Sequence, residues 1–227
     1  GRAPARVALA DRRAASGRYL ALARVAREDQ RAESAGYLVP PILVEGLAVY
    51  LSGGHYKPEE IMPRSAGLLA LDWYIPLATL ADDFYNQQHE IGYLEAGALV
   101  QYLYDTFGPG AFTEFYRTIP PPDEGGVSRS LDRALQENFG LSLEELEADF
   151  LAELADTDVP VEVLTDLELT VGSYDTIRRY QELFDPSAYF LTAWLPNGKE
   201  MRDRGVVADF TRRPQDLENW LAVRWMR

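Results

Sequence analysis

The feature of this sequence that most constrains its fold is an apolar pattern of helical period that glycine and proline interrupt. Between residues 91 and 107, for example, apolar side chains recur at steps of three and four, the spacing of one face of an α-helix. Glycine-containing runs at 53–54 and 108–110 stop such stretches, as is common at helix ends. No β-hairpin signal is strong, so we predict an all-α, or mainly α, fold.

The same pattern predicts the order of the elements. An apolar helix begins at Pro40-Pro41, since proline is tolerated in a first helical turn, and a loop with two prolines covers 55–64. Ser142 and Glu145 have the spacing of a capping box. The predicted helices cover residues 5–33, 40–52, 65–72, 76–84, 91–107, 111–118, 128–139, 142–155, 161–184, 187–194, 198–210 and 214–226.

Domain boundaries are predicted where the composition changes. The polar stretch 155–160, which ends in proline, is the best candidate. We therefore predict a basic N-terminal helix over 1–37, a helical domain over 38–157 and a small helical appendix over 158–227. The aromatic residues of the appendix are predicted to pack between its helices.

Charge disfavours one class of partner. The chain has 22 Lys and Arg against 36 Asp and Glu, a formal net charge of −14, and so acidic a surface repels phosphate backbones, which argues against nucleic acid. Residues 1–35 are the exception, with eight arginines against four acids, so the remaining residues carry a net −18. We expect this basic segment to be a solvated helix that docks on the acidic body; an arm for nucleic acid or membrane is the alternative.

Other features of the sequence exclude further possibilities. Cysteine is absent, which excludes disulfides and thiolate metal sites. No run of about 18 apolar residues exists that could span a membrane, and no signal peptide is visible. Asp82 and Asp83 are adjacent, so they do not face each other on a helix, and we predict that both are surface charge.

The most informative segment is 43–50, an apolar helix that contains an acid and a glycine, Glu45 and Gly46. A carboxylate at such a place is costly to bury unless it is paired or bound to a metal. Two interpretations follow from the residues alone. Either an arginine from the basic first helix neutralises Glu45, or the carboxylate belongs to a site.

The sequence VEGLAVY at 44–50 resembles the E-G-[LFM]-A-x-Y signature of gluzincin metallopeptidases, the group that includes thermolysin and the aminopeptidase N enzymes, and is most similar to the peptidase-MA-like bacterial domains. Residues 91–108 resemble the downstream helix of that family, and 130–150 resemble its closing pair of helices. The resemblance covers about 38–154. It implies the helical lobe of a gluzincin-like metallopeptidase, followed by the appendix, and it slightly favours an exported protein.

The resemblance also implies roles for two residues. Glu45 would be the third zinc ligand. Tyr93 would match the tyrosine that, in the aminopeptidase-like members, hydrogen-bonds the developing oxyanion, a charge that such directed donors stabilise. In those members a glycine follows the tyrosine by three residues, whereas Gly97 follows Tyr93 by four.

The histidine pair of the family is missing. Zinc hydrolysis needs three protein ligands and an open position for water, and the His-Glu-x-x-His motif should fall near residues 21–25, which are Ala-Leu-Ala-Arg-Val. No histidine precedes His55, and the other one is His89. These two are weak alternative metal ligands, which with Glu90 and Glu45 could form a substitute site that their spacing in sequence does not support; otherwise we expect ordinary hydrogen-bonding loop histidines. Zinc is therefore expected only if the missing ligands are supplied.

These expectations lead to two hypotheses for the function. The first is a zinc-metallopeptidase-like domain that is inactive or incomplete as it stands, with a cleft near Glu45 for a peptide or protein. The second is a non-catalytic helical scaffold or protein-binding module. The sequence leaves open which of them applies, whether the chain is an enzyme, and its oligomeric state.

Overall fold

The computed structural model of the chain describes residues 39–55 and 57–184, without the side chains of residues 177 and 180–184. This part of the chain is built from seven α-helices and one short 3₁₀ helix and contains no β-strand, which confirms the all-α prediction. The helices are α1 (Pro41–Ser52), α2 (Ile61–Ala70), α3 (Leu77–Asp82), α4 (His89–Thr118), α5 (Gly126–Phe139), α6 (Leu143–Asp156) and α7 (Val161–Phe184), with the 3₁₀ helix at Phe84–Asn86.

Most of the predicted boundaries within this range agree with the structure to within two residues. The loop predicted over 55–64 is an exception, because α2 already begins at Ile61. Pro63 is its third residue, a first-turn position where the missing N–H has no helical partner to lose. The predicted stop at 108–110 is a kink inside α4, where Gly108 has a φ of +80°.

Several predictions concern residues outside the described ranges. They are the helix over 5–33, the helices at 187–194, 198–210 and 214–226, the packing of the C-terminal aromatic residues, and the docking of the basic segment 1–35. They stay predictions.

The closest packing in the fold is the crossing of α1 and α4. A Cβ atom on Gly46 would lie 2.7 Å from the carbonyl carbon of Ala96, and one on Gly97 would lie 2.6 Å from Cγ1 of Val49. Since real Cβ atoms do not approach other atoms so closely, each glycine lets the partner helix come near. The loop that follows the C-terminal end of α1 thereby lies at the start of α4, where His55 contacts Tyr93.

Tertiary contacts fix the start of α5. The carboxylate of Asp82 accepts hydrogen bonds from the backbone N–H and the hydroxyl of Ser128, at 2.8 and 2.7 Å. An acid at a helix N-terminus satisfies donors that have no partner inside the helix. Asp82 is exposed, as predicted for surface charge, but it holds two elements together, which the sequence prediction missed.

The start of α6 has the predicted capping box, in which Ser142 and Glu145 bond each other's backbone N–H groups. Asp132 adds a third contact, since it accepts a 2.8 Å hydrogen bond from the backbone N–H of Leu143. Side-chain hydrogen bonds therefore fix the N-terminal starts of α5 and α6, in addition to packing.

The chain divides into two compact units between Val159 and Pro160. The first contains α1 to α6 and its own hydrophobic core; the second begins with α7. None of the helices in the described ranges is both long and apolar enough to cross a membrane. The predicted three-part organisation stays a prediction.

Candidate functional site

Glu45 is half-buried on α1, at the edge of the helix face that packs inward. Its Oε1 accepts a hydrogen bond of 3.1 Å from the hydroxyl of Tyr85. Among the described residues no lysine or arginine pairs with this carboxylate. The alternative in which an arginine of the first helix neutralises Glu45 concerns residues outside the described ranges and stays open. The inward positions of α1 are Ile42, Leu43, Gly46, Leu47 and Val49.

Tyr85 lies on the 3₁₀ helix that follows α3, and 64% of it is exposed to solvent. Partial burial of its hydroxyl, followed by the negative charge of Glu45 and the hydrogen bond to it, raises the pKa of the phenol to about 12. The hydroxyl therefore keeps its proton at neutral pH and is the donor of this bond. It orients the carboxylate without neutralising it.

Tyr93 and the two histidines form one cluster. The ring of Tyr93 stacks on His55 with centroids 4.6 Å apart, and its centroid is 4.3 Å from that of His89. The two imidazole centroids are 4.9 Å apart. Since His89 and Tyr93 are four residues apart on α4, they share one face of that helix. The fold therefore gathers residues that are far apart in sequence.

Phe84 connects this cluster to the pair formed by Glu45 and Tyr85. Its ring centroid lies 5.1 Å from that of Tyr93 and 5.4 Å from that of Tyr85. We call the five rings of Tyr85, Phe84, Tyr93, His89 and His55 the aromatic row. The ring contacts of the row, together with the bond from Tyr85 to Glu45, connect all four residues that the sequence singled out, although Phe84 and the side chain of His55 are buried.

Glu90, which the sequence places among the conceivable substitute metal ligands, also lies in this region, although its burial was not predicted. It is buried, and its Oε2 lies 3.4 Å from Nδ1 of His55, whose side chain is also buried. The backbone N–H of His55 donates to Glu59, which forms a buried ion pair of 2.7 Å with Arg64. Three acidic or basic side chains thus fix the loop that carries His55. The available signal was the acid next to His89, but an acid in the first turn of a helix is common.

The residues present do not fit a gluzincin zinc site. Zinc needs three protein donors that converge on one point, and no three His, Asp or Glu side chains within the described ranges do so. The carboxylate of Glu45 is bound by a phenol, and His55 faces Glu90. We therefore derive no chemical step through a metal.

Two further carboxylates that the sequence analysis missed hold the loop between α2 and α3. Glu95 is fully buried on α4 and accepts a 3.0 Å hydrogen bond from the backbone N–H of Ile75, while its Oε1 has no hydrogen-bond partner among the described residues. Glu147 accepts from the hydroxyl of Tyr74 at 2.9 Å and from the backbone N–H of Leu77 at 2.7 Å. The loop leads through α3 to the 3₁₀ helix, so these contacts help to place Tyr85.

Burial dominates the electrostatics of this second group. It raises the pKa of Glu95 well above its usual range, and the negative charge of Glu147 raises it further, against the opposing effect of the Ile75 N–H. The pKa of Tyr74 is also raised, first by burial and then by the charges of Glu95 and Glu147. Both shifts favour the neutral forms of these groups.

Comparison with family models, with curated proteins and with solved structures found no match. The resemblance to the gluzincins thus has no support beyond the sequence motifs of this chain.

Proposed function

We propose that this chain is a gluzincin-metallopeptidase-like domain that does not assemble a zinc site by itself and that binds extended polypeptide on the surface around Glu45. The observation that carries the proposal is the carboxylate of Glu45, half-buried in an otherwise apolar helix and oriented by the hydroxyl of Tyr85. The resemblance of this helix to the third-ligand helix of the family and the position of Tyr93 on the next long helix support the kinship.

The environment of Glu45 supports a binding role. A carboxylate in a helix of apolar residues has a desolvation cost that a structural ion pair would offset. Here the described partner is a phenol, which donates a hydrogen bond but brings no positive charge to the carboxylate. A cationic group of a ligand would supply that charge.

The aromatic row supplies contact area. Tyrosine and histidine side chains present an apolar ring and a polar tip, the combination that is enriched where proteins bind other proteins. Tyr85 is the most exposed ring of the row, and Tyr93 and His89 are half-buried. A polypeptide strand that packs on the exposed ring of Tyr85 would lie beside the carboxylate of Glu45.

Catalysis by this chain alone is not part of the proposal. Peptide hydrolysis by a gluzincin depends on a metal-bound water, and the family's histidine pair is absent from the sequence. In a completed site Glu45 would be a ligand and Tyr93 an oxyanion donor. The second candidate function is a non-catalytic helical scaffold.

A binding measurement separates the two candidates. The probe is fluorescein-labelled, carboxymethylated casein, an unfolded polypeptide, and the readout is fluorescence anisotropy. We expect saturable binding by the wild-type chain, and a Kd that rises about tenfold in Tyr85→Ala, which is the loss of roughly 1.4 kcal/mol typical of an exposed aromatic contact. Glu144→Gln, an exposed acid on α6, is the control and should leave the Kd unchanged.

Two outcomes would contradict the proposal. One is the absence of casein binding by a folded wild-type chain, which would favour the scaffold. The other is casein hydrolysis with added zinc that Glu45→Ala abolishes, which would show that the chain completes a metal site after all.

A further inference from the structure

We infer that the polypeptide bound at this surface is anchored by an arginine side chain that pairs with Glu45 and stacks on Tyr85. The inference rests on the proposed function and names the chemistry of its ligand. It depends on three features of the pair Glu45–Tyr85: the charge that the pair keeps, the ring that it exposes, and the charge of the chain around it.

The charge of the pair is not compensated within the described part of the chain. The hydroxyl of Tyr85 donates to Oε1 of Glu45, and no second donor reaches this carboxylate among the described residues. A carboxylate offers about four lone-pair positions on two oxygens. A ligand with several N–H donors and a positive charge would satisfy the remaining positions and neutralise the pair.

The exposed ring selects a guanidinium over an ammonium. Of the large apolar side chains in the described ranges, Tyr85 is among the few that are mainly exposed, at 64%. A guanidinium is planar, stacks on aromatic faces, and donates two parallel hydrogen bonds to a carboxylate. A lysine ammonium is a compact point charge, which pairs with the carboxylate but does not stack on the ring. An arginine is therefore the side chain that uses both members of the pair.

The wider charge distribution favours the same partner. Outside the segment 1–35 the chain carries a net −18, and a field of one sign speeds the encounter with oppositely charged ligands. Phosphate-bearing ligands are disfavoured by this field, whereas a basic polypeptide is attracted. We commit to an arginine of a separate polypeptide, although the segment 1–35 with its eight arginines is a competing source.

The experiment compares two peptides that differ only in charge. The probes are acetyl-Gly-Gly-Arg-Gly-Gly-amide and the same peptide with citrulline, a neutral isostere of arginine. The full chain has only two histidines, both in the aromatic row, so their ring signals in ¹H–¹³C spectra report on binding there. We expect both peptides to shift these signals and the arginine peptide to bind about tenfold more tightly, as for one charge-assisted pair.

Variants then show which residues cause the preference for the arginine peptide over the citrulline peptide. In Glu45→Gln the ratio between the two peptides should fall to about one, while the citrulline peptide keeps its affinity within about twofold, because the neutral amide replaces the charge without changing the shape. Tyr85→Phe should keep the arginine preference, and Tyr85→Ala should weaken both peptides. Glu144→Gln is again the control and should keep the wild-type ratio.

The outcomes distinguish this inference from the proposed function. Equal affinity for both peptides in the wild type, with both shifting the histidine signals, would overturn the arginine anchor and leave the peptide-binding surface intact. A wild-type ratio that persists in Glu45→Gln would overturn it as well. No shift with either peptide would contradict both proposals, since a surface that is closed or filled by the chain's own segment 1–35 does not bind a separate polypeptide.

Discussion

Glu95 is the residue with the clearest thermodynamic consequence. Its carboxyl is fully buried between α4 and the loop before α3, it bonds one backbone N–H, and it faces Glu147 and Tyr74. The pKa of Glu95 is raised, so the neutral form is favoured in the folded chain. Its contribution to stability is complete below the unfolded pKa, near 4.3, and is lost as the pH rises through the folded pKa.

Glu95→Gln should remove this dependence, because an amide stays neutral and keeps an oxygen that can accept from Ile75. We expect the free energy of unfolding of the variant, relative to wild type, to rise by up to about 1.4 kcal/mol for each pH unit above the unfolded pKa, until the folded pKa is reached. Urea denaturation of both proteins between pH 4 and pH 9 measures this difference in the free energy of unfolding.

The control for this prediction is Glu144→Gln, which removes an exposed acid and so reports the effect of one unit of net charge. A difference between Glu95→Gln and wild type that does not change with pH would mean that Glu95 is solvated or that its charge is compensated in the folded state.

The buried and half-buried carboxylates illustrate what the sequence could and could not predict for single residues. Glu45 was singled out because an acid interrupts an apolar run, and the structure places it beside a tyrosine 40 residues away. Glu95 interrupts the apolar run 91–100 in the same way, so the criterion that singled out Glu45 also applies to it, whereas Glu90 follows the polar run 86–89 and nothing local separates it from exposed helix acids. Their burial follows from where α4 crosses other elements, which is tertiary information.

Among the elements, the crossing of α1 and α4 is the contact on which the candidate site depends. Gly46 faces the backbone of Ala96, and backbone atoms cannot move aside as a flexible side chain can. Glu45 is adjacent to this point, so its position is tied to the separation of the two helices. The glycine of the E-G pair therefore has a packing reason in this fold.

Gly46→Ala should consequently be destabilising. The added methyl group must push the helices apart, and overpacking of this kind costs about 1–3 kcal/mol, which exceeds the gain of about 1 kcal/mol in helix propensity. Thermal unfolding followed by circular dichroism measures the change. Gly110→Ala is the matched control, since it is helical and exposed and has nothing within 4 Å of the added Cβ.

We expect Gly110→Ala to be neutral or stabilising by up to about 1 kcal/mol. If Gly46→Ala behaved like Gly110→Ala, the close approach of α1 and α4 would be wrong.

Element boundaries were largely predictable, and the exceptions have physical causes. Local stop signals at 53–54 and 140 and the capping box at Ser142 lie where the structure has helix ends. The early start of α2 was missed because Pro63, which was taken to indicate a loop, occupies a first turn. The bond from Asp82 to Ser128 spans 46 residues, so no local pattern could indicate it.

For the whole molecule, the all-α class followed from the helical period of the apolar residues, since only helices satisfy that spacing over so much of the chain. The function did not follow in the same way, because it depends on which partner neutralises one carboxylate. The kinship with gluzincins would explain Glu45, Tyr93 and the closing helices together, and it makes one statement that chemistry can test: Glu45 stands where a third zinc ligand stands.

Restoring the missing motif tests that statement most directly. The measurement is the zinc content of the purified chain after equilibration with zinc and gel filtration, for wild type and for the variant Ala21→His, Leu22→Glu, Val25→His, both checked for folding by circular dichroism. We expect no stoichiometric zinc in wild type and one zinc in the variant, lost again when Glu45→Gln is added, because that change removes the third donor. A folded variant that binds no zinc, or whose zinc is indifferent to Glu45→Gln, would contradict the kinship.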